Sequence, residues 1–482
     1  MGDLFLGMDL GTTAVKAAVL GPTGDCVARF GQTYATQRPA PGQAEQDPDV
    51  WMRLIGAALH DFAGLQARVR FGCLSSQVNT HVFVDAAGRA LAPAILWQDT
   101  RAAAEAAELD THLTPAQKIA FLGAPIPIDA SHPLARMLWM ARHRPEIWAN
   151  TAMVLLPKDY CLLHLTGRAV TDPLANVGLV GPDLRYVGPI LDLVPGAARR
   201  MAPLAGVTEV VGRIGPDFAL YGVQMVNGTM DGWAGLYGAG AARQGETVWL
   251  SGTSEVLGTA SDTVTGAPGV VVFPKVGGIR LHAGPTQSGG ASQMWFCQMA
   301  GISVDDLTAQ LAAPRRHPTP LFLPHLAGER APVWNPHLRG AFLGLDQGMG
   351  LVDLGRAVLE GVALSARHVL TALHASSNVD SGTLTCGGGG FRSDPWGQIR
   401  ANVVNRPLRR LAVNEPVVLG AVALAACAAG LGTLAETQGS LARHDTVWHP
   451  DPATRGLYDD LFGIYLEATA ANADIGRKLA LL

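Results

Sequence analysis

The chain of 482 residues carries 36 Lys and Arg against 40 Asp and Glu, a net charge of −4, and charged residues make up only 16% of it. With no Lys/Arg block and no basic-aromatic stripe, nucleic acid and acidic membrane surfaces are excluded as natural partners. The 48% hydrophobic content excludes extended disorder, and six dispersed cysteines without a C-x-x-C pair exclude a zinc or disulfide framework. No apolar run reaches transmembrane length. The N-terminus, with Asp3 and Asp9 inside its apolar stretch, reads as a first strand and not as a signal peptide, so the expected location is cytoplasmic.

In chain order, residues 4–9, 14–20 and 26–34 read as three successive strands, with turns at Gly11-Thr12-Thr13 and over 21–25. Asp47 and Pro48 open a helix, Asp47 as its cap, and Trp51, Ile55, Leu59 and Phe62 fall on one face. Residues 69–75 read as a strand, 76–81 as a polar turn and 82–85 as a short strand. Ile95-Leu96-Trp97 then delivers the polar run Gln98-Asp99-Thr100-Arg101 to a strand end. Later come a helix over 352–373, a strand over 383–386 and a tightly packed Ala/Gly-rich helix over 419–432. The alternation implies α/β lobes. The expected boundary lies near residues 241–245, giving lobes 1–243 and 244–482.

Two segments carry chemistry in parallel. Gly11-Thr12-Thr13 and Gly252-Thr253-Ser254 are both Gly-Thr turns between apolar strands, and they stand 241 residues apart, half the chain. Such a turn offers backbone N–H groups and a hydroxyl to phosphate. Asp9 precedes the first turn where Leu250 precedes the second, and a carboxylate there suits water-bridged Mg²⁺. Gly387-Gly388-Gly389-Gly390, between a strand and a helix, lets a flat ring or a phosphate lie on bare backbone, or serves as a plain crossover. Asp231, after the apolar strand ending in Val226, can accept a proton from a hydroxyl or cap the helix that follows. The histidines His81, His282, His325 and His337 have no metal-ligand spacing and read as structural.

Gly340-Ala341-Phe342-Leu343-Gly344-Leu345, with Asp353 through Glu360 after it, resembles the C-terminal signature of the FGGY carbohydrate kinases. Gly328-Glu329-Arg330-Ala331-Pro332-Val333-Trp334, Gly388 through Gln398, Ala44 through Pro48, and Leu156-Pro157-Lys158-Asp159-Tyr160 are similar to further family segments, and the resemblance spans residues 4 to 432. It implies two actin-like, ribonuclease H-like ATPase lobes around a central nucleotide and sugar cleft. It also implies ATP, Mg²⁺ and transfer of the γ-phosphate to a sugar or polyol hydroxyl. Asp231 is the implied catalytic base and Asp9 the metal-side carboxylate. The implied ATP-binding set is Thr12, Thr13, Lys16, Gly252, Thr253, Gly290, Gly388 and Gly389. The implied substrate-binding set is Gln77, Val78, Asn79 and Asp231. A homodimer is allowed but not specified.

The member group most resembled is the xylulose kinases, and the departures fall at the sugar. Val78-Asn79 replaces their Met-His, Met230-Asp231-Gly232 replaces Gly-Asp-Asn, and Arg136 stands where Lys is usual. Trp97-Gln98-Asp99 is more similar to glycerol kinases. The expected function is therefore an ATP-dependent kinase for a xylulose-like ketose. The alternatives are a kinase for another ketose or a polyol such as glycerol or erythritol, or a non-catalytic nucleotide-gated sugar-binding protein of the same fold.

Overall fold

The computed structural model describes residues 3–311, 315, 320–413 and 415–479. By contacts the chain forms two compact units, Met1–Gly238 with Val417–Leu441, and Ala239–Pro416 with Ala442–Leu482. The division thus falls at Gly238, five residues before the expected boundary. A segment assigned from sequence to the second lobe returns to the first unit.

The first unit is built on a six-stranded sheet. Its strands are β1 (Leu4–Leu10), β2 (Ala14–Leu20), β3 (Cys26–Thr33), β4 (Val69–Ser76), β5 (Val210–Arg213) and β6 (Gln224–Val226), in the spatial order β3-β2-β1-β4-β6-β5. The β1–β2–β3 meander is antiparallel, β4 and β6 run parallel to β1, and β5 closes the edge antiparallel. All seven residues of β1 are buried, as befits a central strand covered on both faces. Helix α1 (Pro48–Asp61) starts as its sequence requires, with the Asp47 carboxylate accepting the Asp49 N–H at 3.0 Å. Its buried face includes Trp51, Ile55 and Leu59, which join Leu6, Met8 and Leu74 in one core. A second core gathers around α2 (Pro133–His143). Helix α3 (Pro157–Thr166) and helix α4 (Asp231–Ala239) complete the elements that frame the site.

The second unit repeats this plan. Its strands are β7 (Thr247–Ser251), β8 (Glu255–Ala260), β9 (Val271–Val272), β10 (Leu281–Pro285), β11 (Leu384–Gly387), β12 (Leu408–Leu411) and β13 (His444–Trp448), in the order β9-β10-β8-β7-β11-β12-β13. Again an antiparallel hairpin, β7–β8, is followed by two parallel neighbours and an antiparallel edge. The 241-residue repeat of the Gly-Thr turn is therefore a repeat of sheet topology. Helices α5 (Gly290–Ala300), α6 (Leu351–Ser377) and α7 (Asp394–Val404) contribute to its core.

Helix α8 (Pro416–Ala428) explains why 417–441 returns to the first unit. A Cβ on Gly420 would lie 2.1 Å from the Ala234 carbonyl oxygen, and one on Gly7 would lie 2.5 Å from that of Val418. Only glycines let α8 approach α4 and β1 so closely, and the Ala-rich composition follows. Gly420→Ala is expected to destabilise the first unit by about 1–3 kcal/mol or more, because the obstacle is backbone and cannot turn aside. In helix α9 (Arg455–Leu479), Gly463 has open space where a Cβ would go. Gly463→Ala is expected to be neutral or stabilising. Denaturation midpoints of the two variants check the contrast.

Candidate active site

In the first unit, three parallel strands end side by side. Leu10 of β1 pairs with Ser76 of β4, and Ser76 bridges to Met230, one residue before Asp231. The carboxyl ends of parallel strands, where the order reverses, are where open α/β sheets bind ligands. Asp9, the Gly11–Thr13 turn, Gln77–Asn79 and Asp231 all sit at this edge.

The turn is held from below. The Gly11 N–H donates to the Ala14 carbonyl at 3.1 Å, and the Tyr34 hydroxyl donates to the Gly11 carbonyl. Gln46 Nε2 donates to the Thr12 carbonyl at 2.7 Å. The Thr12 hydroxyl donates to Gln77 Oε1 at 3.1 Å and accepts from Trp97 Nε1 at 3.0 Å, while Gln77 Nε2 donates to Gln46 Oε1 at 3.0 Å. Gln77 is buried, so both ends of its amide seat the turn instead of facing open space. Of the two threonines, Thr13 is the exposed one. Asp9 lies directly opposite Lys16 across the β1–β2 ladder, which puts both side chains on one face. The Tyr34 hydroxyl has its pKa raised, mainly by burial and then by the nearby Asp9 charge.

Asp231 begins α4, but it is not the cap: the Met230 carbonyl accepts the Ala234 N–H at 3.0 Å. Its own Oδ1 accepts the Gly232 N–H at 2.7 Å. Burial pushes the carboxyl pKa up to about 6, against the lowering pull of the backbone N–H groups. Partly exposed at a strand-to-helix junction, it is a carboxylate whose affinity for a proton suits proton transfer near neutral pH.

Val78 and Asn79 are half-buried, and Asn79 is left-handed with φ 51°. Asn79 Nδ2 donates to Ser131 Oγ at 3.1 Å, and Ser131 Oγ donates to Asp129 Oδ1 at 2.7 Å. The fully buried Arg136 donates to the Asn79 and Leu96 carbonyls, to the Ile95 carbonyl at 2.9 Å and to His81 Nδ1 at 2.9 Å. Burial, reinforced by the Arg136 charge, lowers the His81 pKa well below its ordinary value, so the ring is neutral and accepts. An Arg fork can hold three carbonyls and a ring nitrogen together, which the point charge of a Lys cannot do as rigidly.

In the second unit, the Gly252 N–H donates to the Ser254 carbonyl at 2.9 Å to close the turn. The Gly290 and Ala291 N–H groups at the start of α5 donate to the Gly252 and Thr253 carbonyls at 2.9 and 3.0 Å. A Cβ on Gly290 would lie 2.7 Å from the Gly252 oxygen, so Gly290 seats the helix on the turn. Leu250 of β7 pairs with Gly387 of β11, which brings the four-glycine loop beside the same turn. A Cβ on Gly388, whose φ is +95°, would lie 2.3 Å from the Ser251 carbonyl oxygen, whereas one on Gly389 would meet open space, so Gly389 is the bare backbone of the loop. Beneath them, Arg400 NH2 donates to Glu255 Oε1 at 2.5 Å and to Ser251 Oγ at 2.8 Å, and Arg400 NH1 donates to the Gly390 carbonyl at 3.0 Å. The guanidinium packs over the Trp396 ring with its carbon 3.8 Å from the centroid.

Sequence reasoning missed Tyr34, Ser131 and Arg400, each of which acts through a partner distant in the chain. It gave no role to Gln46, inside the Ala44–Pro48 segment, or to Glu255, next to the second turn. Among the described residues no three His, Cys, Asp or Glu side chains converge as a metal cage, and no helix is long and apolar enough to cross a membrane.

A duplicated hairpin-and-parallel sheet, each copy with a Gly-Thr turn between its first two strands, defines an actin-like ATPase fold. Residues 4–219 match the N-terminal domain of the FGGY family of carbohydrate kinases, and residues 201–429 match its C-terminal domain. The chain belongs to the FGGY family of carbohydrate kinases and is an ATP-dependent sugar kinase. It is 31% identical over 442 residues to the xylulose kinase of Escherichia coli strain K12, covering 88% of this chain and 90% of that one. Among solved structures it is similar to a gluconate kinase from Lactobacillus acidophilus, with a TM-score of 0.88, 26% identity and 99% of both chains covered. It is equally similar to a ligand-bound xylulose kinase from the same organism, with a TM-score of 0.88, 26% identity, 99% of this chain and 100% of that one.

Proposed function

We propose that the protein transfers the γ-phosphate of ATP to a hydroxyl of a ketose, a xylulose-like pentulose, with Asp231 as general base. The observation that carries this reading is the Asp231 carboxyl, raised to about 6, at the carboxyl edge of the parallel strands. Above that pH it is ionised yet still basic enough to take the acceptor hydroxyl's proton as the new P–O bond forms. The Gly11–Thr13 and Gly252–Ser254 turns are assigned to phosphates, and the open backbone at Gly389 to the nucleoside.

Asp9 is assigned to Mg²⁺. A single carboxylate beside a phosphate turn fits a metal that arrives with the nucleotide and keeps most of its waters. Mg²⁺ would neutralise charge on the phosphate oxygens.

A second reading, another ketose, a sugar acid or a polyol as acceptor, is favoured by one observation. Asn79 is locked left-handed by Ser131 and Arg136, and Val78 beside it is short. The test is ADP formation with ATP and a panel of pentuloses, hexuloses, gluconate, tetritols and glycerol. Turnover stimulated by at least one acceptor is expected. ATP turnover indifferent to every acceptor would sink the proposal.

A further inference from the structure

Beneath the strand that leads to Asp231 lies an ionic network with no access to solvent. Lys158 Nζ, at the start of α3, contacts Asp159 Oδ1 at 2.6 Å, Asp172 Oδ2 at 3.0 Å and Asn227 Oδ1 at 3.3 Å. The Lys158 N–H donates to Ser76 Oγ at 3.1 Å, at the end of β4. Asp172 Oδ1 accepts the Leu174 and Ala175 N–H groups, each at 3.0 Å, and the Thr229 hydroxyl at 2.7 Å. Asn227 Nδ2 donates to the Thr171 and Ala205 carbonyls at 3.0 Å each. All of Lys158, Asp159, Asp172, Asn227 and Thr229 are buried.

Residues 227–230 are the whole connection between β6 and Asp231, and they form no strand. Every residue of this connection is tied down. Asn227 and Thr229 are held by the network, Gly228 has φ 69° with its N–H on the Val207 carbonyl at 3.0 Å, and Met230 bridges to Ser76. For stability alone, apolar side chains of similar volume serve as well as a buried ion pair. What hydrogen-bonded ions add is direction.

We infer that the Lys158–Asp172–Thr229 network is a positioning device for the Asp231 carboxylate, with Thr229 as the residue that transmits it. This rests on the assignment of Asp231 as base. Thr229 touches no reacting atom in that scheme. It sets where the carboxylate two residues later is held, and a misplacement of about 1 Å can cost on the order of 100-fold in rate.

The test uses Thr229→Val, which keeps the shape and removes the donor, and Thr229→Ser, which keeps the donor. Rates are referred to folded protein by ADP titration. Thr229→Val is expected to lower kcat by about 10- to 100-fold with the KM values for sugar and ATP within about threefold, and Thr229→Ser to stay within about threefold of wild type. In an Asp231→Asn background, Thr229→Val should add nothing, because it acts through Asp231. Should Thr229→Val not fold, Thr229→Ala carries the same expectations. The inference is overturned if the donor-less variant keeps kcat within threefold, if the serine variant falls as far as the valine one, or if the loss persists in the Asp231→Asn background. Should Asp231→Asn itself retain activity, it is the base assignment that fails.

Discussion

Asp231→Asn is expected to lower kcat by about 10² to 10⁴-fold while leaving ATP binding nearly unchanged. Asn keeps the shape and the oxygen that accepts the Gly232 N–H, so the change removes the proton acceptor and little else. A variant retaining more than about a tenth of wild-type kcat would end the assignment. The raised pKa adds a second, independent readout. Because the folded-state value, about 6, exceeds the ordinary carboxyl value of 3.8, the proton-linked stabilisation is full below about pH 4 and is lost as pH rises through 6. At pH 8 the wild type therefore bears the strain of an ionised, largely desolvated carboxylate that the Asn variant lacks. The variant is expected to melt higher than wild type at pH 8, by an amount worth at most about 3 kcal/mol, with the gap closing toward pH 4. In parallel, wild-type kcat/KM should fall on the acid side through about pH 6.

The second large effect concerns the acceptor. By the resemblance read from the sequence, Val78 and Asn79 stand where xylulose kinases carry Met and His, and we propose that D-xylulose is outperformed by another acceptor. Asn79 can donate and accept through one amide, whereas a neutral His divides these roles between two nitrogens. A mispaired buried polar group costs roughly 1–3 kcal/mol, about one to two decades in kcat/KM. Val78→Met with Asn79→His should move preference toward D-xylulose by that order. If D-xylulose is already the best wild-type substrate and the double change weakens it, the specificity assignment fails and the kinase activity stands. The Ser131 and Arg136 contacts make this demanding: a His at residue 79 must adopt the same left-handed backbone.

What the sequence determined by itself was local and periodic. The two Gly-Thr turns, the strands on either side of them, the Asp47 cap and the Ala/Gly-rich helix each announce themselves within a dozen residues, because turn geometry, capping and face burial act at short range. Asp231 and Asp9 stand out as candidates for the same reason, as single carboxylates next to such punctuation, and the family signatures followed from ordered segments. Only the tertiary structure decided the rest. Helix α8, seen in sequence as tightly packed, joins the first unit because Gly7 and Gly420 admit it against β1 and α4, a fit between surfaces more than 180 residues apart. Gln77, expected at the substrate, is buried with its amide joined to Thr12 and Gln46, which come from two separate segments. The proton affinity of Asp231 comes from desolvation, which no stretch of sequence displays. The ions that hold the site, Arg136, Lys158 and Arg400, find their carbonyls and carboxylates only once the chain has folded.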